Sequence, residues 1–194
     1  MKPSSRHVSW YGKLPSRGDF IGRGLPPRWR SEWDGWLQRG LSLAATTVDS
    51  TTLSERLRTF TPWRYLALRT PGEIWSGILA ASHDRVGRPF PLTLAERLGG
   101  RASPVESAAR LASLLGAARD GLEALEAAID ALPPPAQTEY RSAEIRLLQS
   151  GSLWWPLDAG QDAGPRVAAW PPEPELLLDL LELQSDVHQI ASAE

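Results

Sequence analysis

The sequence predicts a single α/β domain, a layered sandwich in which a mixed, largely antiparallel sheet is covered by helices. Three observations carry this. Residues 63–98 hold three strand-like runs, "WRYLALRT", "EIWSGILAAS" and "FPLTLAERL", separated by turn-forming residues. Segments after Pro26-Pro27 and after Ser103-Pro104 carry apolar residues at helical spacing. A chain of 194 residues with 42% hydrophobic content can bury one good core, so one domain spanning residues 1–194 is expected.

The first apolar stretch, Val8 to Tyr11, reads as a short strand ended by Gly12. The segment "GKLPSRGDFIGRGLPP" that follows is rich in Gly, Pro and charge and is expected to be an ordered loop, neither helix nor strand. Pro26 and Pro27 then open a helix in which Trp29, Trp33, Trp36, Leu37 and Leu41 form one stripe, with Arg28, Arg30, Glu32, Asp34 and Arg39 between them. Such a stripe packs on a core or forms an aromatic ligand box; the core reading is the expectation. Thr46 to Ser54, small and polar, reads as a loop.

In the first sheet strand, Trp63, Tyr65, Ala67 and Arg69 alternate with Arg64, Leu66, Leu68 and Thr70, so both faces are partly apolar. Pro71-Gly72 suits a tight turn into the next strand. Ser103, Pro104 and Glu106 spell an N-cap, a first-turn proline and the far side of a capping box. One long helix is expected to follow, with Leu111, Leu115, Ala118, Leu122, Leu125, Ile129 and Leu132 spaced alternately by 4 and 3 residues until Pro133 to Pro135 end it. Its seam either lies across the sheet or pairs in a coiled coil. "SLWW" (Ser152 to Trp155) and "RVAAW" (Arg166 to Trp170) read as strands. A last helix after Pro172 or Pro174 carries Leu176, Leu177, Leu180, Leu181, Gln184 and Val187 on one face, with Leu178 and Leu183 outside it.

Composition excludes several classes of function. The longest apolar runs, such as Gly77 to Ala81, fall well short of the roughly 20 residues that a membrane span needs. Met1 to His7 is polar and basic and leads into no apolar signal region. Without cysteine there is no disulfide framework and no thiolate metal site, which fits a cytoplasmic protein. Charge is unevenly divided: residues 1–101 hold 16 Lys and Arg against 8 Asp and Glu, while residues 102–194 hold 5 against 15. Either the halves pack together and compensate, or the basic half meets an acidic partner or nucleic acid. The basic residues are nearly all arginine, with Lys2 and Lys13 the two lysines.

Catalytic constellations are scarce. Ser82, His83 and Asp84 are chain neighbours whose side chains cannot converge into a relay, and no G-x-S-x-G turn supports another nucleophile. His7, His83 and His188 are far apart and no H-E-x-x-H spacing occurs, so neither metal nor cofactor is expected. Gly12-Lys13 begins its segment instead of ending it before a helix, which is not a phosphate-binding P-loop. Two charged, glycine-punctuated loops remain, Lys13 to Arg23 and His83 to Arg88. They are expected at neighbouring strand ends, with Arg17, Arg85 and Arg88 near Asp19 and Asp84. The aspartates there either hold the arginines in a structural network or help present a protein-binding surface of Lys13, Arg17, Asp19, Arg85 and Arg88.

These same segments resemble the TagF (ImpM) family of type VI secretion proteins, in "WYGKLPSRGDFIGRGLP", "WDGWLQRGL", "PWRYLAL", "WSGILAASHDRVGRPFPLTLA" and "SLWWPL". The resemblance implies a non-enzymatic, cytoplasmic accessory protein, a post-translational and generally repressive regulator acting through other components of the apparatus, notably a forkhead-associated scaffold. The phosphatase domain that some relatives carry fused is not evident in the sequence. Two other functions stay open: an enzyme acting on a phosphorylated substrate, which needs Lys13, Arg17, Arg85 and Arg88 to converge on a pocket with Asp19 or Asp84 as base, and a nucleic-acid binder using the basic half. Protein is the expected partner, without nucleic acid or membrane insertion; the oligomeric state is left open.

Overall fold

Alternating side chains along residues 63–97 build the middle of a sheet that is buried on both faces. A computed structural model describes residues 8–99, 102–133, 151–160 and 163–183. Its strands are β1 (Val8–Gly12), β2 (Ile21–Arg23), β3 (Trp63–Thr70), β4 (Glu73–Ala80), β5 (Leu92–Arg97), β6 (Gly151–Pro156) and β7 (Arg166–Ala168). They form one seven-stranded sheet of order β2-β1-β5-β4-β3-β6-β7, with every pairing antiparallel. Pro71 and Gly72 turn β3 into β4, with Gly72 at φ 81°, a conformation that glycine adopts without a steric cost.

One face carries Tyr11, Trp63, Tyr65, Ala67, Trp75, Leu79, Ala95 and Trp154 and packs on α1 (Pro27–Thr47) and α6 (Pro174–Leu180). The opposite face carries Val8, Trp10, Ile78, Ala80, Leu92 and Leu94 and packs on α3 (Pro104–Ser113), α4 (Leu115–Asp120) and α5 (Leu122–Ala131). The period of two in the strands thus feeds two separate apolar layers. Within β4, Gly77 leaves room for the Tyr65 ring, whose hydroxyl lies 2.8 Å from that of Thr93.

The aromatic stripe of α1 is core. Trp29, Trp33, Trp36 and Leu37 are each fully buried, and Leu41 packs against the same cluster. Helix α6 lies across α1 at Gly40, where a Cβ would come within 2.7 Å of Leu177 Cδ2. The Trp36 indole donates to the Glu173 carbonyl (3.1 Å) and that of Trp63 to the Leu180 carbonyl (3.1 Å), tying α6 to α1 and β3. Leu178 and Leu183 are buried as well. Gln184 and Val187 lie outside the described residues.

Four local expectations are corrected. Thr46 to Ser54 is not a loop: α1 continues to Thr47, and Asp49 caps α2 (Ser50–Thr59) by accepting from the backbone of Thr51 (2.8 Å) and Thr52 (3.1 Å). Small polar residues suit caps as well as loops, and Leu53, Leu57 and Phe60 give α2 its buried side. The Gly12 to Pro27 segment contains a strand, because Ile21–Arg23 folds back to pair with Trp10–Gly12. The "RVAAW" strand is shorter than expected and ends at Ala168. The single long helix is three. Ser103 does cap its start, accepting from Glu106 N at 3.3 Å, but the chain breaks at Leu114 and again at Gly121, whose φ is 114°. The predicted seam survives the breaks, since Leu111, Ala118, Leu125 and Ile129 are all buried against the sheet.

Candidate functional site

At the end of β4 the chain turns back through residues 83–88 before entering β5. The turn closes on itself through Asp84 N to Arg88 O (3.1 Å), Gly87 N to Asp84 O (2.9 Å) and Phe90 N to Ser82 O (2.9 Å), with Gly87 at φ 81°. Asp84 points inward and is wholly inaccessible to solvent. Its Oδ1 accepts from the backbone of Val86 (3.1 Å) and Arg88 (3.0 Å), while Oδ2 accepts from Arg88 Nε (2.7 Å) and Lys13 Nζ (3.1 Å). Burial works to raise the carboxyl's pKa, but these donors and the two cations outweigh it and hold the group well below the ordinary carboxylate range.

Lys13 directly follows β1, so its ion pair with Asp84 brings the first charged loop to the second. Three further bonds join them: Ser82 Oγ to Lys13 O (2.7 Å), Arg85 N to Arg17 O (2.8 Å) and Arg88 Nη2 to Gly18 O (3.2 Å). Helix α2 contributes Arg58, whose Nη2 donates to Gly87 O at 2.6 Å. From the other layer, Leu122 N donates to Ser16 Oγ (2.9 Å) at the start of α5, and a Cβ on Gly121 would lie 2.9 Å from that Ser16 side chain. Phe20 sits edge-on to Phe90 with ring centroids 4.6 Å apart, and Lys13 Nζ lies 5.1 Å from the Phe20 ring.

The predicted site residues therefore divide. Lys13 and Arg88 meet on Asp84. Arg17 is joined to the second loop through its backbone only, and its guanidinium pairs with Glu123 at 3.0 Å. Arg85 likewise joins through its backbone and is exposed. Of the two aspartates, either of which the sequence lets hold the arginines, Asp84 does so; Asp19 is exposed and makes no ion pair among the described residues, because the turn that aims donors at a carboxylate is built around Asp84. The chain neighbours Ser82, His83 and Asp84 form no relay. Ser82 donates to the Lys13 carbonyl, His83 Nδ1 lies 2.9 Å from the Asp84 carbonyl, and the carboxylate faces the other way.

Four residues escaped the sequence reading. Phe20 is 42% exposed and Val86 69% exposed, both at the surface of the joined loops. An apolar residue inside a charged loop was the available signal for them. Arg58 and Arg119, which lie on the polar sides of two helices, carried none. Both line a cleft of about 380 Å³ floored by Phe60, Ala80, Leu92, Leu115 and Ala118, and also its neighbouring lobe of about 280 Å³. The halves of opposite charge meet around this end of the sheet, through Arg17–Glu123 and Arg23–Glu126 (2.9 Å).

Among the described residues no helix is long and apolar enough to cross a membrane. No curated protein matches the sequence. Among solved structures, the crystal structure of PA0076 from Pseudomonas aeruginosa PAO1 is similar, with 28% sequence identity, a TM-score of 0.60 and 84% of each chain covered. The family model of the TagF N-terminal domain matches residues 9–143, a span that runs from within β1 through α5 and takes in both charged loops. By that match, over more than half of its length, the chain belongs to the type VI secretion system-associated TagF N-terminal domain family.

Proposed function

We propose that this protein is a cytoplasmic regulator of type VI secretion that works by binding, repressing the apparatus after translation through a forkhead-associated scaffold protein. The observation behind the reading is that two loops locked together by the buried Asp84 leave Phe20 and Val86 at the surface, beside Arg85 and Arg88. Apolar groups held on a rigid loop and ringed by arginine suit the centre and rim of a protein interface. Enzymatic action on a phosphorylated substrate is the weaker reading. Of its two possible bases, Asp84 is sealed from solvent and engaged by four donors, and Asp19 makes no ion pair with any of those cations among the described residues.

The test is co-purification of the tagged chain with the forkhead-associated protein of the same secretion system. Val86→Asp and Arg85→Glu change exposed side chains and should abolish capture and release secretion while leaving the melting temperature unchanged. Capture equal to wild type in both variants refutes the reading.

A further inference from the structure

We infer that the cleft between α2, the end of β4 and α4 receives an acidic side chain of the bound partner, flanked on the partner by apolar residues. The inference rests on the protein-binding reading and names the chemistry that the partner must bring.

The smaller lobe is lined by Pro15, Arg58, Ala81, Ser82, His83 and Arg119, a set with two guanidinium groups and no carboxylate. The two arginines come from opposite layers of the fold, Arg58 from α2 and Arg119 from α4. Arg58 is held in place by its bonds to Gly87 O (2.6 Å) and Ser54 Oγ (3.4 Å), which leave its Nη1 uncommitted among the described residues. The Arg119 side chain is exposed and makes neither hydrogen bond nor ion pair among the described residues, which it shares with Arg39 and Arg85 outside the cleft, whereas Arg17, Arg23 and Arg28 each have a carboxylate partner. A planar donor fork left unpaired inside a concave lobe, beside a second guanidinium, is suited to a carboxylate brought from outside.

The larger lobe decides what kind of anion fits. Its floor of Phe60, Ala80, Leu92, Leu115 and Ala118 is apolar, Thr59, Thr61 and Ser82 line it beside that floor, and Asp158 on its lining disfavours a second negative charge nearby. A polyanion is therefore a poor occupant, whereas one carboxylate beside apolar side chains places charge in the small lobe and hydrocarbon on the floor. Continuity with the proposed interface favours a protein source: His83 and the Gly87 carbonyl that Arg58 binds belong to the same loop as Val86.

Fluorescence anisotropy with labelled synthetic peptides tests this on the full chain. The probe is a short peptide with one glutamate flanked by leucines, and its reference is the same peptide with glutamine. Wild type should bind the glutamate peptide about tenfold more tightly. Arg119→Ala should erase that preference, whereas Arg39→Ala, which removes an exposed charge outside the cleft, should retain it. Equal binding of the two peptides, a preference that survives Arg119→Ala, or displacement of the peptide by inorganic phosphate at comparable concentration would each overturn the inference. The peptide assay and capture of the scaffold fail separately. Peptide preference that persists while Val86→Asp leaves capture unchanged would sink the proposed loop interface and spare the cleft; absent preference with Val86-dependent capture would do the reverse.

Discussion

Replacing Trp33 by alanine should remove the hub of the aromatic core. Its ring centroid lies 4.9 Å from those of Trp29 and Trp36, 5.0 Å from Tyr65, 5.9 Å from Trp170 and 6.1 Å from Trp154, and the side chain is wholly buried. Truncating a buried tryptophan costs about 3–5 kcal/mol, and the loss of several ring pairs pushes towards the upper end. One effect opposes this. The Trp33 indole N–H is buried without a hydrogen-bond partner, so truncation also removes a group that costs about 1–3 kcal/mol to bury. A net loss of about 2–4 kcal/mol follows, lowering the melting temperature by roughly 4–16 °C in a chain of this size. Phenylalanine separates the two contributions. Trp33→Phe keeps much of the ring contact and deletes only an unpartnered donor, whereas Trp36→Phe also breaks the 3.1 Å bond to the Glu173 carbonyl. Trp33→Phe should therefore be the milder of the two by about 1 kcal/mol. Urea unfolding followed by far-UV circular dichroism provides the measurement. A loss below about 1 kcal/mol for Trp33→Ala, or Trp33→Phe proving worse than Trp36→Phe, would refute this account of the core.

Gly40→Ala should destabilise by about 1–3 kcal/mol despite alanine's better helix propensity, since the new methyl meets Leu177; pairing it with Leu177→Ala should restore part of the loss in thermal melts. Asp84, with its carboxyl pKa lowered from 3.8 in the folded state, contributes stability that is full above that value and lost as pH falls below it; Asp84→Asn should weaken the fold at neutral pH and flatten its acid limb in urea titrations. Tyr11 has the opposite sign. Burial, then its 2.7 Å bond to Asp34, push its pKa from 10.0 up to about 12, so its stabilisation should persist below pH 10 and fade between pH 10 and 12, a loss absent from Tyr11→Phe. In the joined loops, Arg88→Ala should lower the melting temperature, on the order of 5 °C, because Asp84 loses its shortest partner. Arg85→Ala should leave stability intact and weaken scaffold capture; a fall in its melting temperature equal to that of Arg88→Ala would erase the distinction between the two arginines.

The elements easiest to read in the sequence were those where period and punctuation agree. Trp29, Trp33, Trp36 and Leu37 could share only one helix face, and the Pro71-Gly72 pair left few ways to connect β3 and β4. Harder were places where one composition serves two structures. Asp49 followed by threonines is as good a helix cap as a loop, and Ile21–Arg23 becomes a strand only because β1 offers an edge. Partner choice among charges was not legible either. Asp19 and Asp84 stand in similar loop contexts, yet only the second lies where backbone donors and Lys13 converge. Arg119 could not be connected with Arg58 from spacing, since the cleft that joins them depends on helices from opposite layers meeting at one sheet end.

The broken helix and the candidate site are one feature seen from two sides. The alternating leucine seam favours an uninterrupted helix, and Gly121 breaks it while the buried positions stay in phase on either side. Ser16 fills the space created by that break, packing beside Gly121 and accepting the first N–H of α5 that a cap must satisfy. The first charged loop is thereby braced at Ser16 by the helical layer, at Lys13 by Asp84, and at the Arg17 carbonyl by Arg85 N, while Arg58 braces the second from α2. Ordering a residue's backbone costs about 1–2 kcal/mol, so under the proposed binding role loops this long would lose much of their binding energy if they had to settle on contact. Here folding bears that cost in advance, and Phe20, Val86 and Arg85 are presented on a fixed frame. An unbroken helix would have gained a few hydrogen bonds and left the first loop without its second support.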